Sequence, residues 1–163
     1  MSRSDTMPLN LPFRVTGTWR MPKRDINSAA SCAVMLSSSV CTGAFILGAA
    51  GLLQGKKATC HWAYTHLLPL FGAMHQPTRV VRDGNLITAG GVTSGIDFAL
   101  ELIAAISGED VARTIQLALE YDPAPPFGGG TLAHSKEETV RRLRADVYDQ
   151  AAAEMEIAIK AIF

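Results

Sequence analysis

The chain lacks an excess of charge, because its 15 Lys and Arg residues are matched by 15 Asp and Glu residues. A strongly basic or acidic balance is usual in proteins that bind nucleic acids or membrane surfaces through bulk electrostatics. Cysteine is also scarce, and an odd count of three is too small for a disulfide framework. We therefore predict a cytoplasmic protein that acts on a small molecule and binds no nucleic acid.

Charged residues are absent from residues 27–54, a segment long enough to span a membrane. Its first half is polar, however, and only the part from Val40 to Leu53 is strongly apolar. A membrane-spanning helix needs about 20 predominantly apolar residues, so this shorter run fits a buried strand, turn and helix better. Residues 1–25 also lack the early apolar run of a secretory signal. We predict no membrane association.

The sequence also lacks the spacings that hold metals and dinucleotides. Four thiol and imidazole groups are candidate ligands, namely Cys41, Cys60, His61 and His66. There is no paired C-x-x-C and no H-x-x-x-H among them. The run G-G-V-T-S-G at residues 90–95 differs from the dinucleotide fingerprint G-x-G-x-x-G, whose first two glycines are separated. We expect neither a metal ion nor a cofactor.

Strand and helix patterns alternate after an irregular start. Residues 1–30 contain three prolines and show neither period, so we predict an irregular segment followed by one domain at residues 31–163. The predicted strands are residues 33–40, 56–60 and a hairpin within 79–91, and the predicted helices are residues 42–53, 64–71, 95–107, 109–121 and a long helix after 135. The alternation predicts an α/β sandwich around a mainly parallel sheet with one hairpin.

Two helix starts match the spacing of a capping box, Ser94 with Asp97 and Ser135 with Glu138. The first of these helices has an apolar face formed by Ile96, Ala99, Leu100, Ile103 and Ile106. The C-terminal helix has a predicted seam that should pack on the domain, formed by Val140, Leu143, Val147, Ala151 and Met155. Its polar residues should stay solvated, namely Arg141, Arg142, Arg144 and Asp146.

Cys41 lies in the run S-S-S-V-C-T-G-A, where a buried strand meets an apolar helix. A side chain on such a tight turn points outward, and the helix N-terminus supplies free N–H groups and a positive partial charge. Because this environment favours a thiolate, Cys41 is a candidate nucleophile, and Gly43 keeps the turn tight. The pattern fits a core residue equally well, since free cysteine is among the most buried residue types.

Thr42 and His61 are the other candidate catalytic residues. The Thr42 hydroxyl could bond the thiolate or a water, or it could simply cap the helix. His61 follows the next predicted strand, at the carboxyl end where α/β sheets place their sites, so we predict a direct or one-water contact with Cys41. It could equally be an ordinary surface histidine.

Three runs of the sequence carry a resemblance to a known family: S-V-C-T-G-A-F-I-L-G-A-A-G-L-L-Q-G-K-K-A-T-C-H-W, then R-V-V-R-D-G-N-L-I-T-A-G-G-V-T-S-G-I-D-F-A-L, then L-E-Y-D-P-A-P-P-F. Together they resemble the isonitrile hydratase branch of the DJ-1/PfpI family. The resemblance implies a flavodoxin-like, class I amidotransferase-like three-layer sandwich that commonly forms a homodimer. It also implies a lyase, specifically a hydro-lyase, that converts an isonitrile to an N-substituted formamide through a thioimidate on Cys41, with Thr42 important for activity and His61 near the elbow.

The resemblance does not extend to the first strands of the family domain. Before Cys41 only Asp5 and Asp25 are acidic, neither follows a strand-like run, and the Gly-Gly turn of the family has no counterpart. We therefore expect the chain to correspond to the C-terminal two-thirds of the family domain, truncated or frameshifted, and to hydrate isonitriles poorly or not at all. The alternative is a non-catalytic module, either a stress-related dimerising unit or the amidase-like sensor half of an AraC-type regulator.

Overall fold

The computed structural model describes residues 36–162, which lie in one compact unit that spans residues 34–163. The predicted irregular segment 1–30 and the first residues of the predicted strand 33–40 lie outside the described residues. The described residues form a mixed α/β structure, as the alternation of patterns predicts.

The strands are β1 Ser37–Val40, β2 Lys57–Ala58, β3 Met74–His75, β4 Val80–Asp83 and β5 Leu86–Ala89. The central sheet has the order β1-β5-β4, in which β1 is parallel to β5 and β4 is antiparallel to it. Strands β2 and β3 pair in parallel as a second, two-stranded sheet. A hydrogen bond of 2.9 Å from the Thr59 N–H to Thr88 Oγ1 joins the end of β2 to β5.

The helices lie between and after these strands. They are α1 Ala44–Ala49, a 3-10 helix Trp62–Phe71, α2 Gly95–Ser107, α3 Glu109–Ala118, α4 Glu137–Leu143 and α5 Asp149–Lys160. Short 3-10 turns precede three of them, at Cys41–Gly43, Val92–Ser94 and Leu132–His134. No helix within residues 36–162 has the length and apolarity needed to cross a bilayer.

The predicted hairpin is confirmed. Asp83 pairs with Leu86, so Gly84 and Asn85 form a two-residue loop between β4 and β5. Gly84 has a φ of +64°, a conformation that glycine adopts without the steric cost of a Cβ atom. The strand β5 that follows is buried at every position, which makes it the centre of the sheet.

The predicted helix at residues 64–71 is confirmed in position but is a 3-10 helix. It supplies much of the core, through Ala63, Tyr64, Leu67, Leu68 and Phe71. Gly72 ends it with a φ of +70°, as expected for a glycine after a helix. Pro69 lies inside the helix and has no N–H with which to continue α-helical hydrogen bonding.

Predicted helices 42–53 and 109–121 are shorter than expected, since α1 ends at Ala49 and α3 at Ala118.

Both predicted capping boxes are wrong. Ser94 is already in the helical region of the Ramachandran plot, and its hydroxyl donates to the Gly91 carbonyl at 2.6 Å. Asp97 instead forms an ion pair with Arg79. Ser135 donates to the Thr131 carbonyl at 2.7 Å, and the residue at the N-cap of α4 is Lys136. In both places the hydroxyl serves the preceding turn, so it is not available to cap the helix.

The predicted apolar face of α2 is only partly covered. None of the α2 residues is buried, and Ile96 and Ile106 are 45% and 55% exposed. The helix packs mainly against α3 and β5 among the described residues. Gly108 ends α2 as predicted, with a φ of +94°.

The predicted seam of the C-terminal helix is confirmed at Ala151 and Met155, which contact the core, and is wrong at Val147, which is exposed. A π-helical segment, Arg144–Tyr148, separates α4 from α5. A π turn holds one residue more than an α turn, so the inward-facing positions after it come one residue later than an unbroken α-helix predicts. Val147 is therefore exposed, while the neighbouring Tyr148 packs against the core. The other C-terminal residues that contact the core are Ala151, Ala152, Met155 and Ile159.

Candidate active site

Cys41 lies at a strained turn between β1 and the helix that follows. Its φ is +59°, whereas Val40 before it is extended with a φ of −125°. A positive φ brings the Cβ atom of an L-residue too close to the backbone and costs roughly 1–2 kcal/mol. The Cys41 N–H donates to the Gly90 carbonyl at 2.7 Å and holds the turn against the end of β5. The predicted turn between a strand and a helix at Cys41 is confirmed.

The strain at Cys41 makes glycine the more stable replacement there. We expect Cys41→Gly to exceed Cys41→Ala in free energy of unfolding by about 1 kcal/mol, because only alanine keeps the Cβ atom at positive φ. At Ala99, an exposed position inside α2, the order should reverse, with Ala99→Gly about 1 kcal/mol less stable than the parent. Urea denaturation of the three variants measures both differences. Equal stability of the two Cys41 variants would contradict strain at the turn.

Gly90 and Gly91 join the Cys41 turn to the loop that carries His61. Besides accepting the Cys41 N–H, Gly90 donates its own N–H to the Arg79 carbonyl at 2.9 Å. A Cβ atom on Gly90 would lie 3.8 Å from the Cys60 carbonyl, and one on Gly91 would lie 3.3 Å from His61 Cδ2. Since β1 and β5 are parallel, Cys41 and Gly90 follow their strands at the same edge of the sheet. The structure therefore places Cys41 and His61 beside the same glycine pair.

His61 is held as a neutral imidazole with a defined tautomer. The Ala63 N–H donates to His61 Nδ1 at 3.4 Å, which makes Nδ1 an acceptor and assigns the proton of the neutral ring to Nε2. Burial lowers the pKa of His61 below its usual value, so the neutral form is favoured at neutral pH. The Nε2 atom lies 3.9 Å from the position of a Cβ atom on Gly91. His61 is therefore a hydrogen-bond donor at the edge of the site.

Three other aromatic rings surround His61. Its ring centroid lies 5.7 Å from Trp62, 5.5 Å from Tyr64 and 5.1 Å from Tyr148. The Arg144 guanidinium lies over the Trp62 ring at 5.5 Å from its centroid, so Arg144 is not simply solvated as predicted. Tyr64 and Tyr148 are not among the site residues that the sequence predicts. Tyr148 is one of only three tyrosines and comes one residue after the predicted seam position Val147, which was the available signal.

Cys60 is a buried thiol beside the Cys41 site. It is 2% exposed, and its Sγ donates to the His61 carbonyl at 3.5 Å. Burial, with the nearby Cys41 as a second cause, raises the pKa of Cys60 to about 12. Burial also raises the pKa of Tyr64, with Tyr148 and then Cys41 as further causes. Cys41 therefore lies within electrostatic reach of both Cys60 and Tyr64.

Comparison with known proteins shows which family the chain resembles. Residues 33–105 match the DJ-1/PfpI family, and isonitrile hydratase from Pseudomonas putida is 50% identical over 130 residues, which are 74% of this chain and 57% of that protein. Over these residues the chain is similar to the DJ-1/PfpI family. The predicted resemblance to this family and the predicted α/β fold class are confirmed. The described structure is consistent with the flavodoxin-like, class I amidotransferase-like fold.

Two further relatives each cover more than half of the chain. The crystal structure of a THiJ/PfpI family protein from Pseudomonas syringae matches with a TM-score of 0.66 and 44% identity over 72% of this chain and 50% of that one. The HTH-type transcriptional regulator GlxA of Rhizobium meliloti is 34% identical over 102 residues, which are 55% of this chain and 30% of the regulator. The chain thus spans between 30% and 57% of the length of these relatives.

Thr42 and the contact between Cys41 and His61 are the other predicted features of the site. Thr42 is the half-buried second residue of the turn Cys41–Gly43, where its hydroxyl role is a prediction. The contact between the Cys41 and His61 side chains is likewise a prediction. Across residues 36–162, no three His, Cys, Asp or Glu side chains come together in the way a metal ion requires.

The two described thiols should react very differently with iodoacetamide. Cys41 is half-buried, whereas Cys60 is buried and has a pKa of about 12, so about one Cys60 thiol in ten thousand is ionised at pH 8. We expect carboxamidomethylation of Cys41 at least ~100-fold faster than of Cys60 in the folded chain. Peptide-resolved mass spectrometry measures both rates, and labelling in urea, where the two thiols should react alike, is the control. Comparable rates in the folded chain would contradict the burial of Cys60.

Proposed function

We propose that the chain is an isonitrile hydratase-like cysteine enzyme in which Cys41 is the nucleophile. The observation that carries the proposal is the φ of +59° at Cys41, at the junction of a parallel strand and a helix. A strained turn of this kind presents a nucleophile at the edge of an α/β sheet. The 50% identity to the isonitrile hydratase of Pseudomonas putida supports isonitriles as the substrate class.

The proposed reaction balances without a cofactor. The Cys41 sulfur forms a bond to the terminal carbon of the isonitrile, and that carbon takes up one proton, which gives a thioimidate. Water then adds to the same carbon, the carbon–sulfur bond breaks, and the products are the N-substituted formamide and the free Cys41 thiol. Proton transfer to the carbon by a positioned acid is typically worth ~10² to 10⁴ in rate.

His61 and Thr42 have supporting roles in this proposal. The Nε2 proton of neutral His61 can hydrogen-bond to the attacking water or to the nitrogen of the thioimidate at the Gly91 edge of the site. Thr42 offers its hydroxyl from the turn that carries Cys41. The proposal also includes a cytoplasmic homodimer, and exposed apolar residues of α2 and α3, such as Ile106 and Leu117, support association.

The similarity to the regulator GlxA favours a second candidate function, a ligand-sensing module without turnover. Regulators of this kind need a pocket that binds a small molecule but no chemical step. The two functions differ in what happens to Cys41. A sensor leaves the thiol unmodified, whereas a hydratase forms a covalent thioimidate.

The test incubates the purified chain with cyclohexyl isocyanide. Intact-mass spectrometry detects the thioimidate as a mass increase equal to one isonitrile, and chromatography follows N-cyclohexylformamide. The expectation of weak turnover bears mainly on the second readout, because one addition per Cys41 thiol gives the adduct, whereas the formamide accumulates only over repeated cycles. An adduct on Cys41 or formamide above the buffer background supports the hydratase. Reversible binding with neither adduct nor product would favour the sensor.

A further inference from the structure

We propose that Tyr148 is a positioning residue that holds His61 in its neutral, Nε2-protonated form at the edge of the site. The inference rests on the proposed function for its catalytic meaning, but the geometry stands on its own. The Tyr148 ring lies 5.1 Å from the His61 ring, 5.2 Å from Trp62 and 5.9 Å from Tyr64, measured between centroids. One side chain from the C-terminal helix therefore contacts all three rings of the segment that begins at His61.

The contacts fix the orientation of the cluster. Tyr148 meets Trp62 at an interplanar angle of 81° and Tyr64 at 87°, so both are edge-to-face pairs. Edge-to-face pairs at these distances contribute about 0.5–1.5 kcal/mol each beyond the burial of area. The imidazole contacts Tyr148 and also lies beside Gly91, where a Cβ atom would lie 3.3 Å from His61 Cδ2.

The π segment is what places Tyr148 here. An unbroken α-helix through this region would direct Val147 toward the domain, as the sequence pattern predicts. The extra residue of the π turn brings Tyr148 to that position instead, and Val147 is 55% exposed. Single π turns inside α-helices are frequent at functional sites. The π turn therefore places the Tyr148 ring against His61.

The groups around His61 determine its protonation together. On its own segment lie Tyr64 and the Cys60 thiol, which donates to the His61 carbonyl. The C-terminal helix contributes Tyr148 and the Arg144 cation over Trp62, and Cys41 lies within electrostatic reach of Tyr64 and Cys60. The raised pKa values of Cys60 and Tyr64 keep both groups uncharged at neutral pH, and the Arg144 cation opposes a second cation nearby. Burial, to which these rings contribute, lowers the pKa of His61.

Removal of the Tyr148 ring should therefore raise the pKa of His61 toward the usual value of a solvated histidine. In Tyr148→Met and Tyr148→Leu we expect the pKa of His61 to rise by about half a unit or more, because water reaches the imidazole. Tyr148→Phe keeps the ring and should leave the pKa of His61 within about 0.2 units of the parent. In a hydratase that uses neutral His61, the acidic limb of kcat would move to higher pH in the Met and Leu variants by the same amount.

The measurement is an NMR titration of the His61 ring resonances in the full chain, assigned by their loss in His61→Gln. Val147→Ala, the exposed neighbour on the same π segment, is the matched control and should not move the titration. Two variants without the ring, Tyr148→Met and Tyr148→Leu, are made so that the test still holds if one of them does not fold. Tyr148→Phe keeps the ring and should keep the titration of the parent. An unchanged titration of His61 in a folded ring-deleting variant overturns the proposal. The result does not depend on isonitrile turnover, so its failure is distinct from failure of the proposed function.

Discussion

Replacement of Cys41 by serine is expected to remove both the thioimidate adduct and the formamide product, with turnover reduced by roughly 10³-fold or more. Serine is close to cysteine in size and shape, but its hydroxyl is more polar than a thiol and is not ionised at neutral pH. The turn that positions it should persist, because the Cys41 N–H still donates to the Gly90 carbonyl. The loss would therefore report on the thiol itself. Intact mass and chromatographic detection of the formamide are measured on the parent and the variant together.

The matched control is Cys60→Ala, which removes the second described thiol and leaves the turn intact. Cys60 is buried and has its pKa raised to about 12, so it should not form the adduct, and Cys60→Ala should keep it. Its cost should be confined to stability, since it leaves a small cavity in the core. Adduct formation that survives Cys41→Ser and disappears in Cys60→Ala would contradict the assignment of the nucleophile.

The second large effect is expected on stability at Gly48 in α1. A Cβ atom placed on Gly48 would lie 2.4 Å from Phe71 Cγ and 2.5 Å from Cδ1, distances that force the ring to move. Phe71 is 4% exposed and stacks on Phe45 at 5.7 Å, so it has little room to move. Overpacking typically costs 1–3 kcal/mol, which exceeds the gain of about 0.5–1 kcal/mol from alanine in a helix. We expect Gly48→Ala to lose about 1–2 kcal/mol of unfolding free energy in urea titrations.

Gly95→Ala is the matched control, because Gly95 also lies in a helix but has nothing within 4 Å of the added Cβ atom. That variant should be neutral or slightly stabilised. A second background, Phe71→Leu, makes room beside α1 and should reduce the cost of Gly48→Ala. If Gly48→Ala were as stable as the parent, the close contact between α1 and Phe71 would be refuted.

Local signals account for what could be predicted from the sequence. The strained turn at Cys41 follows from a β-branched run that meets a small apolar helix, and the hairpin follows from Asp83-Gly84-Asn85 between two strands. Each depends on the conformational preferences of a few neighbouring residues. The edge of the site was predictable for the same reason, since Cys41 and His61 both follow strand patterns.

The features that the sequence did not reveal depend on contacts between distant segments. Ser94 has the right type and spacing for a cap, but its hydroxyl is used by the Gly91 carbonyl in the preceding turn. The aromatic cluster joins His61 to Tyr148, which are far apart in the chain, and the π turn that brings them together interrupts the regular period. Periodicity assumes an uninterrupted helix, so it predicted Val147 where the structure has Tyr148.

The π segment has a consequence for how the C-terminal helix can change in length. One residue within Arg144–Tyr148 is surplus to an α-helix, so a chain one residue shorter there could form a continuous helix. Val140 and Tyr148 would then be seven positions apart, two full α-helical turns, and would keep the same face as Ala152 and Ile159. Between this chain and a relative with an unbroken helix, a single-residue gap at this point would leave the aromatic ring beside His61 unchanged. The helix tolerates that deletion where an ordinary α-helix would have its whole inward face rotated.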